Sequence, residues 1–422
     1  MTEPSLLTTV IGYNIQGEHE WSTFVDGGDG FLYGIPYHAR RVVKFNPIDK
    51  SLTEIGPNLG RRMGKWHCGV RANNGKIYCA SFCSNHILKI DTIQGTVERL
   101  DDVELPETGD GLWMSGALAT DSHIYYMPYG ARRIMRLNSN NDTLSSVGGD
   151  LGNNKYRGTV VGNDEILYGI PILAKRIIKF DPTNADTIST VGEKAEEDFV
   201  CKNGVLGGDG YIYAANNHGQ VLKVDTTRNN YTWIGDPIYP RGRGGGWGGP
   251  IIGADKCIYW PPLNANRVLK FDPETQQLPL LVGDDLGEGS NKWAGGALAT
   301  DGAIYCIPFN ATHILAIDPF KECSATLQTN MTLYPNDLGR LFLKDEKEEC
   351  DESFFESSLR KFGGDKVFQL IEECLPLVVE WADGAHNGNL PPFMVAASCE
   401  NCAASVIYYL LRRNVNEIIN KL

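Results

Sequence analysis

The chain has 422 residues, a formal net charge of −13 and a pI near 5.2. This acidic balance excludes broad binding of nucleic acid or of an anionic membrane through overall charge. The apolar fraction of 42% is ordinary for a globular protein, and no apolar run reaches the roughly 18–20 residues of a membrane helix.

The chain opens with MTEPSLLTTVIGYN, in which residues 7–14 read as a strand that ends in Ile-Gly. No basic segment followed by an apolar core precedes this strand, so no secretory leader is expected and a cytoplasmic location is predicted. Eleven cysteines, an odd number scattered through the chain, are most simply interpreted as buried or free thiols in such a compartment.

A similar segment recurs seven times between residues 21 and 322. Each copy can be aligned on one tyrosine, and the spacing between these residues lies between 43 and 47. The seven tyrosines are Tyr33, Tyr78, Tyr125, Tyr168, Tyr213, Tyr259 and Tyr305. A fixed period of this length is typical of an array of supersecondary units, none of which buries its faces without neighbours.

Each copy contains the signals of four short strands. A strand of small residues leads to a turn such as Asp29-Gly30 or Asp209-Gly210, which we interpret as a two-residue hairpin turn. An aromatic strand, a polar loop and a β-branched strand follow, and Asp-Pro or Asn-Pro then turns the chain into a fourth strand that ends in Gly. Seven such units predict an all-β, seven-bladed β-propeller over residues 1–322.

The seventh copy lacks its fourth strand. After Pro319 the chain reads FKECSATLQTNMT, with no strand ending in Val-Gly or Ile-Gly. The strand within residues 7–14 resembles LTEIGPN of the first copy, so we expect it to supply the outer strand of the last blade near residues 313–318. This closure would remove the open sheet edges of the ring.

The pattern changes after the seventh copy. Residues 323–349 are predicted to be an acidic linker and residues 350–422 a small α-helical domain. Within that domain, NGNLPPFMVAASCENCAASVIYYLLRRNVNEI resembles an ankyrin repeat, although Phe393-Met394 replaces the usual Leu-His. The resemblance implies a binding scaffold. The other interpretation is a helical cap docked on the propeller.

Two sets of repeated positions are the candidate binding residues. The first set lies twelve residues before each anchor tyrosine and is aromatic in six copies, and the second begins each third strand and is mostly cationic. They are Trp21, Trp66, Trp113, Tyr156, Trp247 and Trp293, with Arg41, His86, Arg133, Arg176, Arg267 and His313. Cys201 and Gln220 interrupt both sets in the fifth copy, which predicts a weak sector there. The alternative role is packing between blades, with cation–π contacts.

No catalytic residue, metal site or cofactor is predicted. The chain has no Gly-x-Ser-x-Gly, P-loop or dinucleotide motif, and the loops lack the clustered carboxylates that a hard metal needs. Glu18-His19-Glu20 is the one local acid–histidine group, and Cys399 and Cys402 have no second pair with which to hold zinc. His38, His86, His218 and His313 fall in loops between second and third strands. They make a histidine-based site at the central channel the alternative, similar to that of propellers of the virginiamycin B lyase and gluconolactonase kind.

The sequence therefore favours a protein-interaction scaffold that binds a protein partner, one with an acidic surface, through one propeller face and the ankyrin-like tail. A lyase or hydrolase with its site at the channel mouth is the first alternative. A carbohydrate-binding propeller that uses the repeated tryptophans is the second. Propellers host many activities, so the fold does not decide among them.

Overall fold

The structure is a computed structural model that describes residues 7–11, 20–152, 155–184, 187–239 and 246–319. These residues form seven four-stranded antiparallel sheets, and the predicted seven-bladed β-propeller is confirmed. The predictions for residues 323–349 and 350–422, including the ankyrin-like repeat, lie outside the described residues. Among the residues described, no helix is long and apolar enough to cross a membrane.

The blades follow one another along the chain. Blades one to three comprise β2 (Trp21–Asp26), β3 (Leu32–Pro36), β4 (Val42–Phe45), β5 (Leu52–Ile55), β6 (Val70–Arg71), β7 (Lys76–Cys79), β8 (Leu88–Asp91), β9 (Thr96–Arg99), β10 (Trp113–Leu118), β11 (His123–Pro128), β12 (Ile134–Asn138) and β13 (Thr143–Val147). Blades four and five comprise β14 (Lys155–Val161), β15 (Leu167–Leu173), β16 (Ile177–Phe180), β17 (Ile188–Val191), β18 (Cys201–Leu206), β19 (Ile212–Asn216), β20 (Val221–Asp225) and β21 (Asn230–Ile234). A short 3-10 helix, Pro182–Asn184, precedes β17.

The last two blades show how the ring closes. They comprise β22 (Ile251–Ile252), β23 (Ile258–Trp260), β24 (Val268–Phe271), β25 (Leu280–Val282), β26 (Ala297–Leu298), β27 (Ile304–Cys306), β28 (Ile314–Ile317) and β1 (Thr8–Ile11). β1 pairs antiparallel with β28, with Thr8 opposite Ile317 and Ile11 opposite Ile314. The predicted closure of the seventh blade by the N-terminal strand is confirmed.

The anchor tyrosines tie each first hairpin together. In six of the seven described hairpins the tyrosine hydroxyl donates to the aspartate four residues earlier, at 2.7–2.8 Å, as Tyr33 does to Asp29. In blade two the turn carries Asn74, and the Tyr78 hydroxyl instead donates to Asp142 of blade three at 2.8 Å. The tyrosine rings are themselves buried, so each one joins the turn to the core.

The hairpin turn differs from the predicted two-residue turn. The residue three before each anchor tyrosine has positive φ in every blade, from +64° at Glu165 and Lys256 to +86° at Gly30. The preceding Asp209 has no positive φ, and Gly210 N donates to Gly207 O while Gly207 N donates to Tyr211 O. This is a three-residue loop in which a turn is followed by one left-handed residue. The Asp-Gly pair therefore closes a bulged hairpin, and the two-residue interpretation was wrong.

The hydrophobic core lies between neighbouring blades. One cluster joins Tyr33 and Val42 of blade one to Trp66 and Ile77 of blade two, and all four are fully buried. The first strands of adjacent blades lie against each other, so they line the central channel. A blade thus buries its faces only against its neighbours, as the repeat predicts.

Candidate functional site at the mouth of the central channel

The six aromatic candidates lie inside the protein. Trp21, Trp66, Trp113, Tyr156, Trp247 and Trp293 are between 0 and 4% exposed. Each of the five indole nitrogens donates to the backbone carbonyl twenty residues further on, at 2.8–3.2 Å. These acceptors are the carbonyls of Arg41, His86, Arg133, Arg267 and His313, so the two predicted sets are linked through the backbone. The geometry gives the aromatic side chains a packing role, and a binding role for them stays a prediction.

Two of the cationic candidates, Arg41 and Arg133, reach away from the channel. Arg133 Nη1 donates to Gly148 O at 3.4 Å, and Gln220 of blade five reaches Gly235 O at 3.2 Å in the same way. Arg41 contacts Gly56 O and Glu54. These acceptors lie in or just after the fourth strands, so the side chains reach towards the outer edges of the blades. Arg133, Arg176 and Arg267 are exposed there.

A different set of residues meets at the channel mouth. One residue after each aromatic position, on the first strand or just before it, stand Ser22, His67, Met114, Arg157, Lys202, Gly248 and Ala294. The three basic ones belong to blades two, four and five. Arg157 and Lys202 are neighbours across adjacent first strands, because a β-carbon at Gly158 would lie 3.0 Å from the Cα of Asn203.

Hydrogen bonds fix the tautomer of His67. Its Nδ1 lies 3.1 Å from Met114 O, and a carbonyl only accepts, so Nδ1 carries the proton. Its Nε2 is then the acceptor for Arg157 Nη2 at 3.3 Å. Burial, together with repulsion from Arg157, lowers the pKa of His67 to about 3, so the ring is neutral at physiological pH. His67 positions the guanidinium and adds no positive charge.

The guanidinium of Arg157 has few protein partners. It carries five N–H donors and remains charged at any physiological pH, although burial lowers its pKa. Within the described residues its one hydrogen bond is to His67, and no carboxylate forms an ion pair with it. The Tyr37 and Tyr129 hydroxyls lie near enough to influence its pKa. Arg157 lies deep in the ring yet keeps surface open to the channel, so its free donors face a space that a ligand can enter.

Lys202 is a second cation to which the described residues offer no carboxylate. It is 7% exposed, and the described part of the chain offers its amine no hydrogen bond or ion pair. Two other buried lysines behave differently. Lys65 Nζ donates to His38 O and Arg62 O at 3.1 and 3.0 Å, and Lys292 Nζ donates to Ala265 O and Gly287 O at 2.7 and 2.6 Å. Burial first, and then the charge of Arg157, lower the pKa of Lys202 to about 7.

Four aromatic rings form an arc on the other side of the mouth. They stand four residues after the anchor tyrosines of consecutive blades and comprise Phe309, Tyr37, Phe82 and Tyr129. Neighbouring ring centroids are 5.0, 5.8 and 6.0 Å apart in that order. The ammonium of Lys155 lies 4.7 Å from the centroid of the Tyr129 ring. All four rings are partly exposed, so this aromatic arc offers an apolar surface beside the cations, with neighbouring rings tilted by 37–51°.

An acid–histidine pair flanks the arc. His38 Nε2 lies 3.2 Å from Glu20 Oε2, while Gly64 N donates to His38 Nδ1 at 2.9 Å. Nδ1 therefore accepts, and the proton on Nε2 faces Glu20. Burial raises the pKa of Glu20 and lowers that of His38, so the pair favours a neutral histidine. Glu20 is described, while Glu18 and His19 of the predicted acid–histidine group lie outside the described residues.

A recess of about 300 Å³ lies at the opposite end of the strands, lined by Asn163, Asp209, Asp225 and Arg228 among others. Its arginine is 3.5 Å from Asp225, so its charge is matched. Within the described residues, the mouth leaves the charges of Arg157 and Lys202 without a carboxylate, and it is the stronger candidate site.

The comparisons identify the architecture. No protein-family model matches the chain, and no curated protein matches it. A catalytically inactive virginiamycin B lyase from Staphylococcus aureus, solved with quinupristin, is 14% identical, with a TM-score of 0.59 over 73% of this chain and 98% of its own. A streptogramin B lyase structure is 15% identical, with a TM-score of 0.57 over 75% and 99%. The likeness is one of fold.

A protein of another type shares this architecture. The extracellular domain of a putative hybrid two-component system from B. thetaiotaomicron is 10% identical, with a TM-score of 0.55 over 74% of this chain and 42% of its own. The two lyases and this extracellular domain thus match the fold of the chain with similar TM-scores. The function must therefore be inferred from the side chains at the mouth.

The sequence patterns did not single out His67, Arg157, Lys202 or the aromatic arc. The residues that could have indicated the site stand one residue after each aromatic position and four residues after each anchor tyrosine. Blade five, predicted to be the weak sector because of Cys201 and Gln220, carries Lys202. Blade five therefore departs from the predicted aromatic and cationic positions and still contributes a residue to the channel mouth.

Proposed function

We propose that this propeller is a binding protein that takes an organic anion with a flat apolar part at the mouth of its channel. The observation that supports the proposal is the pair formed by the partly exposed Arg157 and the buried Lys202, two cations to which the described residues offer no carboxylate. An isolated buried charge costs free energy, and an anionic ligand removes that cost when it binds. The aromatic arc supplies the contact for the apolar part.

A carboxylate suits these cations because the guanidinium can form two parallel hydrogen bonds with its two oxygens. The ligand oxygens would take the donors of Arg157 that His67 leaves free. Rings stacked at offset geometry on the aromatic arc would add about 0.5–1.5 kcal/mol each beyond burial of their area. Phenyllactate has both features and is the probe we choose.

Calorimetric titration with phenyllactate tests this function. The parent protein should bind it, and Arg157→Gln should weaken binding at least tenfold, because a hydrogen bond to a charged group contributes about 1.5–3 kcal/mol. Affinity should fall as pH rises above 7, where Lys202 loses its proton. Arg176→Gln, an exposed arginine of the same blade, is the control and should bind as the parent does. A parent protein that ignores phenyllactate would overturn the proposal.

A second candidate is the protein-interaction scaffold for an acidic partner. The exposed side chains of Arg133, Arg176 and Arg267 on the face of the channel mouth favour it. Such rim charges mainly speed encounter and select partners, so their effect fades with salt. The carbohydrate-binding alternative has less support, because the repeated tryptophans are buried and offer no open face.

Affinity purification at low and high salt tests the scaffold. Arg133→Glu combined with Arg267→Glu should remove the captured partner at low salt. Arg228→Glu, at the opposite end of the strands and 77% exposed, should not. Capture of the same partner by the folded double variant at every salt concentration would remove this face from consideration.

A further inference from the structure

The amine of Lys202 is placed for chemistry as well as for binding. Lys65 and Lys292 use their amines to bind backbone carbonyls, so their nitrogens are occupied. Lys202 Nζ has no such acceptor among the described residues and lies at the channel mouth beside Arg157. A lysine that is desolvated and next to another cation is the arrangement that keeps an amine unprotonated and nucleophilic.

Gly246 lies close to this amine, at a point where an added side chain would crowd its neighbours. A β-carbon at Gly246 would lie 3.2 Å from Lys202 Nζ and 3.2 Å from Asn217 Oδ1. Gly246 has φ of +128°, a conformation that other residues rarely adopt, so the backbone itself favours glycine at this point. The position next to the nitrogen is thereby left without a side chain.

We propose that Lys202 forms an imine with the oxo group of a 2-oxo acid whose carboxylate is bound by Arg157. The inference rests on the proposed function, since it names the class of anion that this same site takes. A 2-oxo acid carries its carbonyl carbon directly beside the carboxylate, which matches an amine and a guanidinium on adjacent first strands. The aromatic arc then favours an aryl or other flat group on the third carbon.

The step balances without a further reactant. The lone pair of the Lys202 nitrogen attacks the carbonyl carbon, and the electrons of the C=O π bond move to oxygen, which takes up a proton. The carbinolamine loses a proton from nitrogen and its hydroxyl group as water, which leaves a C=N bond. The unprotonated amine is available near neutral pH because burial and Arg157 lower the pKa of Lys202 to about 7. An exposed lysine, with a pKa of about 10.4, is on the order of a thousandfold less available there.

Reductive trapping tests the inference. The full-length protein is incubated at pH 7 with phenylpyruvate and sodium cyanoborohydride, and the reduced adduct is located by peptide mass spectrometry. One adduct is expected, on Lys202. Phenylacetone, which lacks the carboxylate, should label Lys202 at least tenfold more slowly, and Arg157→Gln should abolish that preference.

Matched variants separate this site from other lysines. Lys202→Arg should remove the adduct, whereas Lys65→Arg and Lys292→Arg, at two other buried lysines, should keep it. Labelling confined to exposed lysines, or equal labelling by phenylpyruvate and phenylacetone, would overturn the inference. Phenyllactate has no oxo group and cannot form an imine. If it binds while phenylpyruvate gives no adduct, the proposed function stands and only the imine is contradicted. Failure of both probes would remove the anion site itself.

Discussion

Deleting residues 1–15 should lower the melting temperature by on the order of 10 °C. The deletion removes β1, whose four residues pair with β28, and it removes Leu7, which is fully buried in the core between the last two blades. Burial of one leucine contributes about 1.5–3 kcal/mol, and each lost hydrogen bond adds about 1 kcal/mol. Two further bonds would go, from Asp318 N to Leu7 O and from Asp284 N to Thr8 Oγ1, both 2.9 Å long.

The measurement is thermal unfolding of the full chain and of the deletion variant. Removing residues 1–6 alone keeps the whole of β1 and is the matched control. A synthetic peptide of residues 5–14 should raise the melting temperature of the deletion variant, because it restores the missing edge of blade seven. A deletion variant that melts with the parent would show that β1 contributes nothing to closure.

The ring and its closure could be predicted because they depend on features that repeat. Seven tyrosines at near-constant spacing, one extra strand at the N-terminal end of the array and one missing strand at its C-terminal end allow few topologies. The hairpin turn was misjudged for a local reason. Asp-Gly is compatible with two kinds of loop, and only the backbone shows that Gly210 alone has positive φ while Asp209 bonds the hydroxyl of Tyr213.

The site was harder to predict because repetition misleads there. Residues shared by most copies, such as Trp66 and Trp113, are those that pack each blade on the next. A site at the axis needs residues that differ from blade to blade, since seven different side chains converge on one space. His67, Arg157 and Lys202 occupy equivalent positions with different chemistry. Nothing in their local sequence shows that they meet, because the ring alone brings them together.

Replacing Lys202 with methionine should stabilise the protein while it abolishes binding at the channel mouth. The folded-state pKa of about 7 lies below the ordinary value of 10.5, so the unfolded chain binds the extra proton more readily between these values. The free-energy cost of burying the charged Lys202 amine is therefore fully present below pH 7, and it disappears as pH rises towards 10.5. At 1.36 kcal/mol per pH unit its ceiling is on the order of 5 kcal/mol, and relaxation around the charge reduces the expected gain to about 1–3 kcal/mol.

Denaturant unfolding at pH 6 and pH 9 measures the effect. Lys202→Met should be more stable than the parent at pH 6, and its advantage should shrink at pH 9. Methionine keeps the length of the side chain and fills the same space. Lys89→Met is the control with the opposite sign, because it leaves the carboxylates of Glu98 and Asp142 without the ammonium that pairs with them at 3.0 and 2.6 Å. A Lys202→Met protein that is less stable than the parent at pH 6 would mean that the ammonium already has a partner. The cations of the mouth would then belong to the architecture of the ring, and their charge would no longer argue for a ligand.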